Sequence, residues 1–345
     1  MDTRTGSEQN THTPDETIKP STIMRNVYAV YPSFAMLAGM QLDVFTPLKD
    51  GPMEAKTLAS ALDVLEDKLT PLLYSLVAAG LLEVENKSFS NTPEANKFLV
   101  RGCHDYIGGL SGFYNMIWHA TLNTAESIKT GKPQAKIDYR TLSEEELLRF
   151  FQSQFHSSIR GGKEIAEKLD FSKFERLLDA GGGTGGVSIA ICQKYPQIKA
   201  IVADLPKVAQ LAKRFIADAG MSDRVTVSAT DLCLNSPEVK YDAAILRAVI
   251  QTLSKEQAQM TLKCVSQSMA PGSRIFIFGS VLGNSCLAPP SSLAYGLASL
   301  NVYDNGKAYT EKEYRKMLAN AGFTDITADY DALVDGMSMI SAIKQ

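Results

Sequence analysis

Residues 176–186 read RLLDAGGGTGG. An apolar run stops at an acid and passes into a block of glycines, and VSIAICQKY then follows with helical character. That is the outline of a strand, a sharp turn and a helix. Glycines let a chain turn tightly and bring its backbone close to a ligand with no Cβ in the way. The segment satisfies G-x-G-x-x-G through Gly181, Gly183 and Gly186, a pattern that by itself also suits a nicotinamide cofactor. Asp179, two residues before the first glycine, favours a different ligand. A carboxylate there suits a group carrying an amine and a positive charge, and it would repel a pyrophosphate. A P-loop is excluded, because no G-K-[ST] follows.

Beyond the glycines, short apolar runs alternate with helical stretches. KAIVADLP, RVTVSATDL, YDAAILRAVI, SRIFIFGSVL and MSMISAIK read as strands. VAQLAKRFIADAG, KEQAQMTLKCVSQSM and TEKEYRKMLANAG read as the helices between them. This alternation means an α/β fold with a parallel, doubly wound sheet. Asp204 ends one strand about twenty residues past the glycines, where an acid can grip ribose hydroxyls. Asp231, beside Leu232, ends the next and offers an acceptor and an apolar surface to an adenine. Each Asp alone could be an ordinary helix cap. Three in register with a glycine-rich turn form a constellation.

These stretches resemble class I S-adenosylmethionine-dependent methyltransferases. The likeness rests on LLDAGGGTGG, IVADLP, VTVSATD and LRAVIQTLS, in the right order. More narrowly, residues 23–345 resemble the O-methyltransferase family that places a winged-helix dimerisation domain before a Rossmann-like domain. The resemblance implies S-adenosylmethionine as cofactor. It implies that Asp179, Gly181 and Gly183 hold its methionine part, Asp204 and Leu205 its ribose, and Asp231 and Leu232 its adenine, with Arg247 reaching it from the next strand. In that family the segment after the basic residue reads like L-K-x-x-L-H-D-W, and its His deprotonates the acceptor hydroxyl. Here Gln251 stands at the His position and Thr252 at the Asp position.

An amide cannot take a proton at neutral pH. A phenol's pKa lies near 10 and its methylation gains about 10² to 10⁴ in rate from a general base. A thioether carries no proton to lose, so alignment alone serves it. LDVFTPLKDGP and LNVYDNGKAYTEKEY are similar to a bacterial branch that includes the S-methyltransferase of 4-methylthio-2-hydroxybutyrate, in dimethylsulfoniopropionate synthesis. The expected function is therefore S-methylation of such a thioether acid without a base, with Gln251 as the catalytic-position residue binding the acceptor. The alternatives are O-methylation of a phenolic or hydroxylated metabolite, with His156 or another residue as base, and a cofactor-binding homologue that transfers no methyl group. Tyr114 and Trp118, four apart on one helical face, together with His119, His156 and Tyr303, are the expected acceptor contacts. Arg160 and Lys163 could meet a substrate carboxylate or simply face solvent.

The rest of the chain bounds this reading. The polar N-terminus, residues 1–22, reads as a disordered tail. Residues 23–100 give helix, helix and a hairpin around Asn86–Lys87, a winged-helix outline; residues 101–170 read as helical linker and pocket helices, and 171–345 as the cofactor domain. From residue 20 to 100 there are six Lys/Arg against nine Asp/Glu, a net of −3, and the second helix offers no Arg, Asn or Gln to base edges. DNA readers carry a basic face, so this block is expected to pair two subunits rather than to bind nucleic acid. With 45% apolar residues, no bilayer-length apolar run, and five scattered cysteines without a C-x-x-C pair, the chain reads as a cytoplasmic, reduced homodimer with no structural metal site.

Overall fold

A computed structural model of the protein describes residues 18–103, 105–236, 239–333 and 335–345. The expected tail lies outside the described residues as far as residue 17. Helix α1 (Ser21–Tyr28) starts two residues ahead of the boundary assigned at residue 23. The chain divides into two compact units between Asn96 and Lys97. The segment 101–170, expected as a block of its own, belongs to the second of them.

The first unit continues with α2 (Tyr31–Leu42), β1 (Met53–Glu54), α3 (Ala55–Leu62), α4 (Glu66–Ala78), β2 (Leu82–Glu85) and β3 (Ser88–Asn91). Asp63, with φ of 54°, stops α3, and its N–H closes onto the helix's last carbonyls. Asn86 and Lys87, at φ of 48° and 65°, form the two-residue turn between β2 and β3. Two positive φ values suit the right-handed twist of a hairpin. Strand β1 adds to β3, giving an antiparallel sheet of order β1-β3-β2. Leu58, Leu73, Leu76 and Phe89 fill the core of this unit. Helix α1 buries none of its residues, although Ile23, Met24, Val27 and Tyr28 are apolar.

Helix α5 (Pro93–Phe98) spans the division, and α6 (Ser111–Thr121), α7 (Thr124–Thr130) and α8 (Glu144–Lys168) follow. A capping box between Ser143 and Glu146 starts α8. Then come β4 (Arg176–Ala180), α9 (Gly186–Lys194), β5 (Lys199–Asp204), α10 (Pro206–Asp218), β6 (Val225–Ala229) and β7 (Tyr241–Arg247). The chain closes with α11 (Lys255–Gln267), β8 (Met269–Gly279), β9 (Val281–Leu282), α12 (Pro290–Ser299), β10 (Tyr309–Thr310), α13 (Glu311–Asn320), β11 (Phe323–Asp329) and β12 (Ser338–Lys344).

Among the described residues, the main sheet has seven strands in the order β11-β12-β8-β7-β4-β5-β6. Strands β4 to β8 run parallel, and β12 is antiparallel to both of its neighbours. Strand β4 pairs with β5 on one side and β7 on the other, so the strand order reverses there. In such sheets the crevice beyond the strand ends at that reversal is the ligand site. The central strands are buried on both faces. Leu178, Ala244, Leu246 and Ile277 join one core cluster, while Leu177, Ala243, Ile245 and Phe276 join the other. Double-sided burial is why these strands read as continuous apolar runs.

Three strand readings are corrected. Strand β7 ends at Arg247, because Ala248 adopts φ of 59°, and Gln251 lies on the 3-10 turn Ile250–Thr252. Strand β6 ends at Ala229, so Asp231 stands two residues past it. Strand β11 was not expected from FTDITAD; it is an edge strand paired only with β12, and its half-polar sequence fits a strand with one neighbour. The five cysteines are free, and no helix among the described residues is long and apolar enough to cross a membrane.

Candidate functional site

The glycine turn fills the crevice between β4 and β7. Gly181 and Gly183 take φ of 71° and 56°, a region that residues with side chains rarely adopt. A Cβ at Gly181 would lie 2.6 Å from Val249 Cγ2, and one at Gly183 would lie 3.1 Å from Phe151 Cε1. Three backbone N–H groups fix the bend. Gly181 N donates to Ala203 O at 2.7 Å, Gly183 N to Asp204 Oδ2 at 2.8 Å and Leu205 N to Asp204 Oδ1 at 2.7 Å. Asp204 thus ties β5 to the turn. Each carboxylate oxygen still has a lone pair for a further donor.

Asp179 is 1% exposed. Its Oδ2 accepts from Ser188 Oγ at 2.8 Å, and its Oδ1 is buried with no partner. Burial pushes its carboxyl up to about 6; Ser188 opposes the shift, Asp204 adds to it, and Arg247 lowers it. Burial likewise raises Asp204 to about 6, against the two N–H groups it accepts from. Asp231 behaves oppositely. Burial would raise it, but the hydrogen bond from Arg140, with Cys233 N–H and the Arg140 charge, holds it below the usual carboxylate range. Arg247 Nη2 donates to Asp335 Oδ2 at 2.6 Å, while Arg247 Nε is buried and unpaired.

The eight residues expected at the cofactor converge. Asp179, Gly181, Gly183, Asp204, Leu205, Asp231, Leu232 and Arg247 all line one cavity of 340 Å³. Tyr303 also reaches it. The other expected acceptor contacts do not line this cavity. His119 and His156 are exposed, and Tyr114 and Trp118 stack on each other at 5.8 Å, with planes 15° apart. Gln251 is 3% exposed and faces other structure. Its Oε1 accepts from Ser280 N at 3.2 Å, and its backbone O accepts from Lys307 N at 2.9 Å and from Tyr295 OH at 3.3 Å. The amide ties the turn after β7 to the end of β8.

Sequence reasoning missed the segment over residues 136–140. It crosses the cavity as a strap and contributes to its wall. Ile137 N donates to Val302 O at 2.8 Å, the Tyr139 and Tyr303 hydroxyls lie 3.3 Å apart, and Lys136 pairs with Asp304. At the far end, Arg140 Nη2 pairs with Asp231 Oδ2 at 2.8 Å. KIDYRTLS carries no spacing that ties it to the glycine motif; an aromatic and an arginine side by side in a loop were the available signal.

Residues 127–324 match the family model for the O-methyltransferase domain, and residues 24–101 match the O-methyltransferase dimerisation domain. The chain belongs to the O-methyltransferase domain family. It is an S-adenosylmethionine-dependent methyltransferase. It is 26% identical over 342 residues to 3-hydroxy-5-methyl-1-naphthoate 3-O-methyltransferase of Streptomyces sahachiroi, covering 96% of this chain and 97% of that protein. It is 28% identical over 311 residues to 8-amino-8-demethylriboflavin N,N-dimethyltransferase of Streptomyces davaonensis, covering 84% and 86%. Human N-acetylserotonin methyltransferase in complex with S-adenosylmethionine shares the fold. That match has a TM-score of 0.81 at 22% identity and covers 95% of this chain and 99% of that one. The two curated names place oxygen or nitrogen at the receiving atom, and they give no support to the thioether branch expected from the sequence.

The methyltransferase's cavity suits its donor. The orphaned Asp179 Oδ1 offers an acceptor to a cationic amine, and Asp204 keeps free lone pairs for hydroxyls. The positive-φ glycines leave room where side chains would stand. From the cavity a run of rings leads outward. Tyr139 lies 5.4 Å from Phe150, Phe150 lies 6.5 Å from Phe113, and Phe113 lies 6.1 Å from Tyr114, which stacks on Trp118.

Proposed function

We propose that this methyltransferase acts on a hydroxyl of a small aromatic molecule, by aligning an acceptor that ionises on its own. The observation that carries the reading is the ring run from Tyr139 through Phe150 and Phe113 to the Tyr114–Trp118 stack. Flat acceptors pack on such rings in offset or edge-on contacts worth about 0.5–1.5 kcal/mol each beyond burial. S-adenosylmethionine supplies an electrophilic methyl group on a sulfonium. Asp179 would hold its amine, Asp204 and Leu205 its ribose, Asp231 and Leu232 its adenine, and Gly181 and Gly183 would let it lie against the backbone. Arg247 would close the wall.

No described histidine lines the cavity, and Gln251 cannot serve as a base. Burial, with the neighbouring Tyr303, raises the Tyr139 phenol well above its ordinary range, so it supplies no phenolate. On this reading the proton leaves the acceptor before transfer. The absence of a base also suits a thioether acid such as 4-methylthio-2-hydroxybutyrate, but the ring run and the hydroxynaphthoate acceptor in the Streptomyces sahachiroi relative's name favour the hydroxyl. The apolar face of α1, with Ile23 and Tyr28 65% and 61% exposed, supports a homodimer through the dimerisation domain.

Labelled S-adenosylmethionine and phenols of graded acidity test the reading. Rates are expected to rise with pH through each phenol's own pKa. A single pKa common to all acceptors, or transfer to the thioether acid in preference to every phenol, overturns it.

A further inference from the structure

The hydroxyl of Ser188 meets Asp179 across the glycine bend. Helix α9 is buried from Gly186 to Cys192. Val187, Ile189 and Ile191 join a core cluster with Leu177 of β4, and Ser188 brings a hydroxyl into this apolar stretch. A buried hydroxyl needs a partner, and a helical serine often finds one in its own helix. Ser188 Oγ donates instead to Asp179 Oδ2 at 2.8 Å, over a separation of nine residues. One hydrogen bond thus joins the last acid before the bend to the helix after it.

The same carboxylate is confined from a second side. A Cβ at Gly182 would lie 2.5 Å from Asp179 Cγ, and 2.7 and 2.8 Å from its Oδ2 and Oδ1. The backbone of the bend therefore lies against the carboxylate, and a side chain at position 182 would displace it. Between that backbone and Ser188 the plane of the carboxylate is fixed. Oδ2 is taken, and Oδ1 is left buried without a partner in a residue that lines the cavity. Asp204 and Arg247 act on Asp179 through charge, the first against its ionised form and the second for it. Ser188 is neutral and acts by the direction of its O–H. Such a bond also favours the ionised acid, the form that a cationic amine needs.

We propose that Ser188 is a positioning residue for cofactor binding, which holds the Asp179 carboxylate so that Oδ1 accepts the ammonium of S-adenosylmethionine. The assignment rests on the methyl-transfer reading above and adds to it the group that orients the amine's partner. Ser188 does not line the cavity, so it acts through Asp179 and not by touching the ligand.

The test measures two ligands on the full chain by calorimetry. One is S-adenosylhomocysteine, and the other is its deamino analogue, in which hydrogen replaces the α-amino group. Wild type is expected to prefer the amine-bearing ligand by at least about ten-fold, as a charge-assisted pair supplies. Ser188→Ala should cut that preference by about three- to ten-fold, with affinity for the deamino analogue held within about two-fold. Ser188→Cys keeps the size and donates only weakly, so it should behave like Ser188→Ala, whereas a packing role would leave it like wild type. In an Asp179→Asn background, Ser188→Ala should lower the preference no further. A Ser188→Ala variant that loses both ligands alike, or that binds adenosylhomocysteine as tightly as wild type or more tightly, overturns the assignment. So does a further loss of preference in the Asp179→Asn background. Failure of the wild-type protein to take up adenosylhomocysteine sinks the methyl-transfer reading as well, whereas uptake with an amine preference that Ser188→Ala leaves unmoved sinks this assignment alone.

Discussion

Arg140 Nη2 lies 2.8 Å from Asp231 Oδ2, so a residue of the strap holds the carboxylate expected at the adenine. The pair is a latch across the cavity. Its arginine is 54% exposed, and half-exposed pairs contribute about 0.2–1 kcal/mol. Arg140→Ala should therefore speed adenosylhomocysteine release by about two- to five-fold in stopped-flow measurements, with melting temperature nearly unchanged. A release rate equal to wild type would show that the strap is not held at this end.

Asp179 carries a carboxyl raised to about 6. A raised carboxylic pKa means that the ionised form is disfavoured in the folded protein. Its contribution is favourable at low pH and is lost as pH rises through about 6. Asp179→Asn should then stabilise the donor-free protein at pH 7 and above by about 1–3 kcal/mol, while weakening donor binding at least about ten-fold. Melting curves at pH 5 and pH 8 check the sign: the gain should be larger at pH 8 than at pH 5, because the unfolded carboxyl already ionises near about pH 4.

The same titration couples to binding. A cationic amine beside Asp179 favours its ionised form, so donor uptake near pH 6 should release protons. Calorimetry in buffers of different ionisation enthalpy measures that release, which should vanish in Asp179→Asn. Proton uptake on binding would contradict the placement of the amine.

Gly183 combines φ of 56° with a Phe151 ring atom 3.1 Å from where a Cβ would stand. Gly183→Ala should cost about 1–3 kcal/mol of stability from backbone strain. Donor affinity should fall further than stability does, because the bend itself forms the floor of the cavity. A variant with unchanged affinity would place the donor elsewhere.

Gln251→His restores the residue type expected of a base, but at a side chain that packs against Ser280 and Gly279. The variant should lose about 1–3 kcal/mol as Ser280 N–H loses its acceptor. Its pH–rate profile should gain no limb near the histidine pKa. A new limb with a rise in kcat would show that position 251 reaches the acceptor.

Much of the cavity at the strand ends is legible in the sequence because its residues lie in local motifs. Asp179, Gly181 and Gly183 are set by one turn, and Asp204 and Asp231 follow successive strands whose ends the parallel sheet brings level. The ring run proposed for the acceptor is not legible. Its rings come from α6, α8 and the strap, joined only by tertiary packing, and no spacing along the chain announces that Tyr139 meets Tyr303 across 164 residues. Gln251 misleads for a related reason. Its place in the motif points to the acceptor, but the left-handed Ala248 redirects the chain after β7 and turns the amide toward Ser280.

The last strand of the main sheet has a consequence for assembly of the fold. Strand β12 inserts between β8 and β11, antiparallel to both, and pairs Ile340 with Ile277 across a long stretch of intervening chain. Until it arrives, β8 offers an open ladder edge rich in Ile and Phe, a template for strands of other molecules. Closing so distant a pairing is slow compared with forming local helices. A chain that has not yet closed this pairing presents that edge, so dilution during refolding should favour completion over self-association.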